Sequence, residues 1–353
     1  MKVNTNRQTE EAKQDLAPGY EYVRCDLCGG EDTKELLMAK DLYNNLPGTF
    51  YVVQCENCGF VYTNPRPYGT ELSKYYPDDA GYFTPTVTNE KLRRHNELKI
   101  KVWNKLLAAY WGYSHLSKVN RQEKVLLFPL YLLKKRNFEH DGFTRFRENG
   151  KLLEIGCSYG LYLKQMKALG WEVTGIEQNK KAADFGCKEF GLRIINDTFE
   201  NACITEKFDV IVMRMALEHL PSPSNALNKA YTLLKEDGKL TIIVPDFSGI
   251  EFRLFKEYCY GLQVPAHLNH FTPQIIRKYC KKCGFEVEKI IHRKADRDFV
   301  ASAQYMKNDG LNTWLAPVLS NNFFRKTILK MVVIVLSYLG MTSRMTILVK
   351  KND

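Results

Sequence analysis

From residue 151 onward, short apolar runs alternate with segments in which apolar positions recur every three or four residues. KLLEIG, WEVTGIE, LRIIN, FDVIVMR and KLTIIVP read as strands, and LYLKQMKALG, NKKAADFGCKEFG and SNALNKAYTLLKEDG read as the helices between them. This alternation predicts an α/β fold, a doubly wound parallel sheet. Ligands of such sheets sit beyond the carboxyl ends of the strands, which gathers Gly156, Glu177, Asp197 and the segment Met213 to His219 around one crevice. Further along, Thr272 as N-cap, Pro273 in the first turn and Gly284 past the end frame a helix over TPQIIRKYCKKCGF. Its Cys280 and Cys283 share a face and read as packing residues.

Two other apolar runs are set among lysines and arginines: residues 92–138, with Trp103, Trp111, Phe128 and Tyr131, and residues 321–344. Both are too short to span a bilayer. Basic flanks around apolar faces suit a helix lying on an anionic membrane or holding a lipid-linked acceptor, but helices apolar over most of their circumference are usually buried, so a core or lid role is the expectation.

The stretch LLEIGCSYGLYL, residues 152–163, passes from a strand through small residues into a helix. Gly156 and Gly160 allow close approach of a ligand to the backbone, and the helix start offers free N–H groups. The spacing does not match G-x-G-x-x-G, since Ser158 stands where the second glycine belongs, and no Lys-Ser or Lys-Thr closes a triphosphate loop. Glu154 at the strand end would repel pyrophosphate and attract an ammonium group. A nucleoside joined to a cationic amino acid fits better, and S-adenosylmethionine is such a ligand. Glu177 can then accept from a ribose diol and Asp197 from an adenine amino group.

The chain has 353 residues, 44% hydrophobic and 26% charged, enough to bury a core in one large domain with an attachment or in two domains. The first 19 residues carry no apolar run, so a cytoplasmic location is expected, and ten cysteines there point to metal ligation and burial, not disulfides. Cys25-x-x-Cys28-Gly29 and Cys55-x-x-Cys58-Gly59 are two matched turns that each aim two thiolates at one point. Four cysteines leave no position for water, so the expected Zn2+ is structural. The net charge of +11 is uneven: residues 1–90 carry −6, residues 91–151 carry +10 and the rest +7. The basic block suits nucleic acid, an anionic membrane surface or phosphorylated substrates, and a solvated helical face accounts for it as well.

The ordered motifs E-I-G-C-S-Y-G, G-I-E, N-D-T-F, F-D-V-I-V and L-E-H-L-P-S-P resemble those of class I S-adenosylmethionine-dependent methyltransferases over residues 150–292. With the four-cysteine module in front, the chain is similar to a zinc-domain branch that includes deoxysugar C-methyltransferases and methyltransferases of bacterial surface-polysaccharide clusters. The resemblance implies a Rossmann-like seven-stranded sheet of order 3-2-1-4-5-7-6, with EVEKIIH and MTILVKK as the last two strands. It divides the chain into a zinc-binding module at 20–80, a basic helical insert at 81–147 and a methyltransferase domain at 148–353 with a helical insertion at 293–345. The expected cofactor site is Glu154, Gly156, Cys157, Gly160, Glu177, Asp197, Thr198, Met213 and Met215.

His219 follows the fourth strand, and His267 and His270 lie in VPAHLNHFT before the capped helix. Methyl transfer needs an acceptor held in line and relieved of a proton, which a neutral histidine does near pH 7. His267 is the first candidate base, and His219 is a second or a structural residue of its loop. The sugar C-methyltransferases have a tyrosine and a glutamate just before the corresponding histidine, where this chain has Val264 and Ala266, which leaves O-methylation of a sugar hydroxyl beside C-methylation of a keto sugar. Arg253, Tyr258 and Tyr260 are loose candidates for an acceptor pocket. The expected activity is therefore methylation of a nucleotide- or lipid-linked sugar in surface-polysaccharide or secondary-metabolite synthesis. Nucleic-acid methylation is the rival enzyme reading, disfavoured by the acidic module and by RMALEHLPSP in place of an Asn/Asp-Pro-Pro-Tyr loop. A zinc-binding interaction protein with a degenerate fold is the non-enzyme alternative.

Overall fold

The structure, a computed structural model, describes residues 18–76, 97–311 and 314–352. The amino-terminal stretch without an apolar run and the start of the basic insert, residues 81–96, lie largely or wholly outside these.

The cysteine-bearing segment folds as short strands: β1 (Tyr20–Glu21), β2 (Thr33–Ala39), β3 (Phe50–Cys55), β4 (Val61–Thr63) and β5 (Arg66–Pro67), followed by the short helix α1 (Gly69–Ser73). Strands β2, β3 and β4 form an antiparallel sheet, and β1 pairs with β5. Two long helices follow, α2 (Glu97–Tyr110) and α3 (Arg121–His140). Asn120 starts α3 by accepting from Glu123 N at 2.8 Å while the Glu123 carboxylate accepts from Asn120 N, a reciprocal cap that sets the first turn.

The αβ alternation then runs β6 (Lys151–Ile155), α4 (Leu161–Ala168), β7 (Glu172–Ile176), α5 (Lys180–Phe190), β8 (Arg193–Ile195), β9 (Phe208–Arg214), α6 (Pro223–Leu233), β10 (Leu234–Pro245), α7 (Ile250–Phe255), β11 (Asn269–His270), α8 (Pro273–Lys282), β12 (Phe285–His292), α9 (Asp296–Asn308), α10 (Leu315–Ser320), α11 (Lys330–Tyr338) and β13 (Arg344–Lys351). The large sheet has the order β12-β13-β10-β9-β6-β7-β8, which is the expected 3-2-1-4-5-7-6 read from the other edge. β13 is antiparallel to both neighbours, so β12 and β13 are the two terminal strands that EVEKIIH and MTILVKK were expected to form. Central strands covered on both faces read as unbroken apolar runs, as in VIVM, residues 210–213, which are all buried.

Thr272 caps α8 by accepting from Ile275 N, and Cys280 and Cys283 are buried as packing residues. One helix is shorter than its periodicity suggests. SNALNKAYTLLKEDG was expected to be helical throughout, but α6 ends at Leu233 and Leu234 already pairs with Phe208, ahead of a register shift before Lys239. The fully buried Leu234 is held by the sheet core, and that packing outweighs the local helical pattern.

The amino-terminal sheet is not closed on itself. β11, from the loop that carries His267, adds to it beside β4, with Asn269 opposite Tyr62 and His270 opposite Val61. Cys25, Cys55, Phe60 and Tyr62 belong to one core with Phe271, Tyr279 and residues of β9 and β10. The cysteine module is thus part of the wall beside the crevice.

Candidate active site

A cavity of about 470 Å³ opens at the carboxyl ends of β6, β7, β8 and β9, walled by Gly156, Ser158, Glu177, Asp197, Thr198 and Met215 among others. Glu177 ends β7 with its carboxylate fixed by two backbone donors: Ser158 N donates to Oε2 at 2.7 Å and Asn179 N to Oε1 at 2.8 Å. Each oxygen keeps acceptor capacity toward the cavity. Burial pushes the Glu177 carboxyl up, and the backbone N–H groups hold it down. Ser158 and Met215, at φ 50° and 53°, are non-glycine residues held left-handed at the mouth, a conformation that clusters at ligand sites. Nothing in the sequence marks either as such.

Four of the expected cofactor residues stand behind this wall. Met213 is inside β9 and fully buried, since strand alternation turns it into the core. Cys157 packs its thiol where a side chain on Gly175 would need to be, 2.5 Å away. Gly160, at φ 79°, starts α4 so close to Leu192 that an added Cβ would come within 2.4 Å of it. Glu154 is buried in β6 with Oε2 lacking a hydrogen-bond partner, and burial pushes its carboxyl up to about 8, against the pull of the Arg214 charge and with a further push from Glu177. A buried carboxyl oxygen without a hydrogen-bond partner, one residue from the cavity wall, is what a cationic ammonium group would satisfy. Gly156, at φ 69°, would place a Cβ 3.0 Å from that of Ala216. Gly156→Ala is therefore expected to cost roughly 1–2 kcal/mol of stability, read by urea unfolding; an unchanged midpoint would contradict the close approach.

The other wall is built by chain parts far apart in sequence. His219, in the turn after β9, lines the cavity beside Tyr76. The Tyr76 hydroxyl lies 2.7 Å from His219 Nδ1 and donates to the Ala266 carbonyl at 2.8 Å. His219 Nδ1 is also 2.9 Å from that carbonyl, and an oxygen acceptor there fixes the Nδ1–H tautomer. The His267 ring stands 4.7 Å from the His219 ring, itself buried, with Nδ1 donating to the Gly261 carbonyl at 2.9 Å. Burial lowers His219 to about 4, with the Ala266 carbonyl pulling it back up, and lowers His267 well below the usual range, helped by its two histidine neighbours. Both rings are neutral at pH 7. Glu218, next to His219 in sequence and with a carboxylate oxygen within 4.8 Å of a ring nitrogen of both histidines, is fully buried with neither oxygen bonded, and burial raises it to about 8.

His270 lies in β11 with Nε2 at 3.4 Å from the Thr63 hydroxyl, away from the cavity. The loose acceptor candidates are elsewhere too. Arg253 is exposed on α7, Tyr258 donates to Asp309, and Tyr260 stacks on Tyr305. Tyr76 and Arg214, which the sequence did not single out, take their place; each is ordinary in composition and periodicity. A second cavity, about 520 Å³ near Tyr110, Arg147 and Asp209, has Arg147 paired with Asp209 at 2.9 Å and with Asp237 at 2.6 Å.

The four cysteines converge. Their sulfurs lie within 4.8 Å of one another, with Cys25 to Cys58 and Cys28 to Cys55 at 3.5 Å. Tetrahedral zinc with bonds of about 2.3 Å needs sulfurs about 3.8 Å apart, so the set fits. The turns match: Gly29 N donates to Cys25 O at 2.7 Å and Gly59 N to Cys55 O at 2.9 Å, both glycines at positive φ. Lys278 and Lys282 of α8 donate to the carbonyls of Cys58, Asp26 and Leu27, which ties the knuckles to the large domain.

A methyltransferase-domain family model matches residues 128–290. The ubiquinone biosynthesis O-methyltransferase of Actinobacillus pleuropneumoniae serotype 7 is 30% identical over 160 residues, 41% of this chain and 63% of that protein. The enzyme of the same name from Glaesserella parasuis serovar 5 is 31% identical over 159 residues, 40% of this chain and 67% of that protein. The chain thus spans about two thirds of the length of these curated relatives. Among solved structures, a mycolic acid cyclopropane synthase complexed with S-adenosylhomocysteine aligns with a TM-score of 0.42 and 14% identity over 63% of this chain and 84% of that chain. A cyclopropane synthase from Mycobacterium tuberculosis aligns with a TM-score of 0.42 and 16% identity over 67% of this chain and 87% of the other. The chain belongs to the class I S-adenosylmethionine-dependent methyltransferases.

Proposed function

We propose that this protein moves the methyl group of S-adenosylmethionine to a hydroxyl of a small acceptor lodged against His219 and Tyr76. The observation that carries this reading is His219, a neutral imidazole on the wall of the same cavity that Gly156 and Glu177 line. The cofactor supplies an electrophilic methyl carbon; the chain supplies placement and a proton acceptor. Glu177 holds the ribose hydroxyls, Asp197 and Thr198 border the base, and Glu154 answers the ammonium charge. His219, its tautomer set by the Ala266 carbonyl, accepts the acceptor's hydroxyl proton at Nε2, and His267 stands behind it as a second neutral ring.

The acceptor we favour is a nucleotide- or lipid-linked sugar in surface-polysaccharide or secondary-metabolite synthesis, with the protein acting in the cytoplasm. The four-cysteine module, read as a structural zinc site, supplies the Tyr76 side of the cavity, and the resemblance to zinc-domain sugar methyltransferases rests on that module. The names of the relatives favour a second acceptor, a quinone-type phenol, on the 40% of the chain they share. O-methylation is common to both.

The test is to incubate the protein with methyl-labelled S-adenosylmethionine and fractionated host extract. Label in sugar nucleotides or glycolipids supports the sugar reading, label in quinone precursors moves the acceptor to that class, and label only in nucleic acid overturns both. His219→Ala should lower turnover at least about a hundredfold while cofactor affinity stays near wild type; normal turnover in that variant would remove His219 as the base. His267, buried behind the cavity wall, acts only through its packing against His219.

A further inference from the structure

The two basic, apolar runs leave part of their apolar residues exposed. In α3, Val125, Leu126, Leu132 and Leu133 are 69%, 79%, 56% and 73% exposed, and in α11 Met331 and Tyr338 are 69% and 64% exposed. The core or lid role expected for them fails for these residues, because one stripe of each helix is enough to cover the sheet. In α3 that stripe passes through Leu127, Leu130, Tyr131 and Phe138. The two runs meet at Arg136, whose guanidinium lies 3.9 Å above the Tyr338 ring and donates to the Ser337 carbonyl.

The charge around this surface is of one sign. Arg121 and Lys124 bound the apolar part of α3 on one side, Lys134 and Lys135 on the other, and Lys326 and Lys330 flank the start of α11. Among the described residues none of these six forms an ion pair, whereas Glu123, the one acid within residues 121–138, is bonded to Lys105. Residues 321–344 contain no acid at all. A second copy of the chain docked face to face would set these cations against their own counterparts. Among the described residues no helix is long and apolar enough to cross a bilayer. A helix of this kind lies in the plane of the interface, its leucines among the acyl chains and its lysines reaching back to the headgroups.

We propose that α3 and α11 form a platform that docks on an anionic lipid leaflet, through apolar insertion and headgroup phosphates together. Neither signal alone holds a protein firmly at a membrane, and this surface has both. The platform lies outside the cavity wall, so docking does not depend on the methyltransferase reading.

The experiment is co-sedimentation of the full chain with vesicles of equimolar phosphatidylcholine and phosphatidylglycerol, compared with phosphatidylcholine alone. The protein is expected to partition at least about tenfold more strongly onto the anionic vesicles and to be released by high salt. Leu126→Glu with Leu133→Glu should abolish binding, and Lys134→Glu with Lys135→Glu should remove the preference for the anionic lipid. Both variants should keep wild-type cofactor affinity and thermal midpoint, since all four positions are exposed. Equal partition onto both vesicles, or none onto either, would overturn the proposal. So would a dimer in solution that Leu126→Glu disperses, which would assign the face to a second copy.

Discussion

Glu154→Gln is expected to stabilise the ligand-free protein and at the same time weaken its grip on the cofactor. The carboxyl sits in β6 without a partner for Oε2, and its folded value of about 8 lies above the 4.5 of an ordinary glutamate. A raised carboxyl favours the protonated fold, so its contribution is complete below pH 4.5 and is lost as the pH climbs through 8. Glutamine has no charge to bury. The variant should match wild type in urea unfolding near pH 4.5 and exceed it by roughly 2–4 kcal/mol near pH 8.5. Calorimetric titration should show the opposite effect on S-adenosylmethionine, a loss of about 10- to 100-fold from the missing charge-assisted hydrogen bond. A variant less stable than wild type at pH 8.5, or one that binds the cofactor as tightly, would remove Glu154 from the ammonium site.

Cys55→Ser is expected to empty the cysteine cluster and to disable the acceptor side while sparing the cofactor side. Cys55 is buried in β3 with its sulfur 3.5 Å from that of Cys28, in one core with Phe60 and Tyr279. Wild-type protein should carry about one zinc per chain, and the variant close to none. Loss of a structural metal is among the few single changes that cost more than about 4 kcal/mol. The damage should follow the strand pairing: β4 holds β11, and Thr63 donates its hydroxyl to the His267 carbonyl at 3.0 Å. Turnover should therefore fall much further than cofactor affinity. A metal-free wild-type protein that is fully folded would refute the zinc site, and an equal loss of cofactor binding would refute the division of labour.

The large sheet was legible because its central strands are buried on both faces and its helices on one, and those two conditions write themselves into KLLEI, FDVIVM and the spacing between them. The two matched turns of the cysteines were legible for a similar reason, each turn being a local object. The acceptor wall was not. Tyr76 reaches His219 across 143 residues and Ala266 across 190, and such contacts leave no periodic trace. The choice between Met213 and Met215 was also hidden: they are two apart in a run of apolar residues, and the left-handed turn at Met215 decides which of them lines the cavity. The α3 and α11 runs misled because their sequences fit a helix buried all round and one exposed along a face equally, and only the structure shows which apolar side chains stay outside the core.

The most direct test is equilibrium dialysis of the purified chain against labelled S-adenosylmethionine, in wild type and in Glu177→Ala. Saturation at about one cofactor per chain, competition by S-adenosylhomocysteine and loss of binding in the variant are the predicted results. Absence of saturable binding by wild type, or binding untouched by Glu177→Ala, would contradict the cofactor site placed at the end of β7.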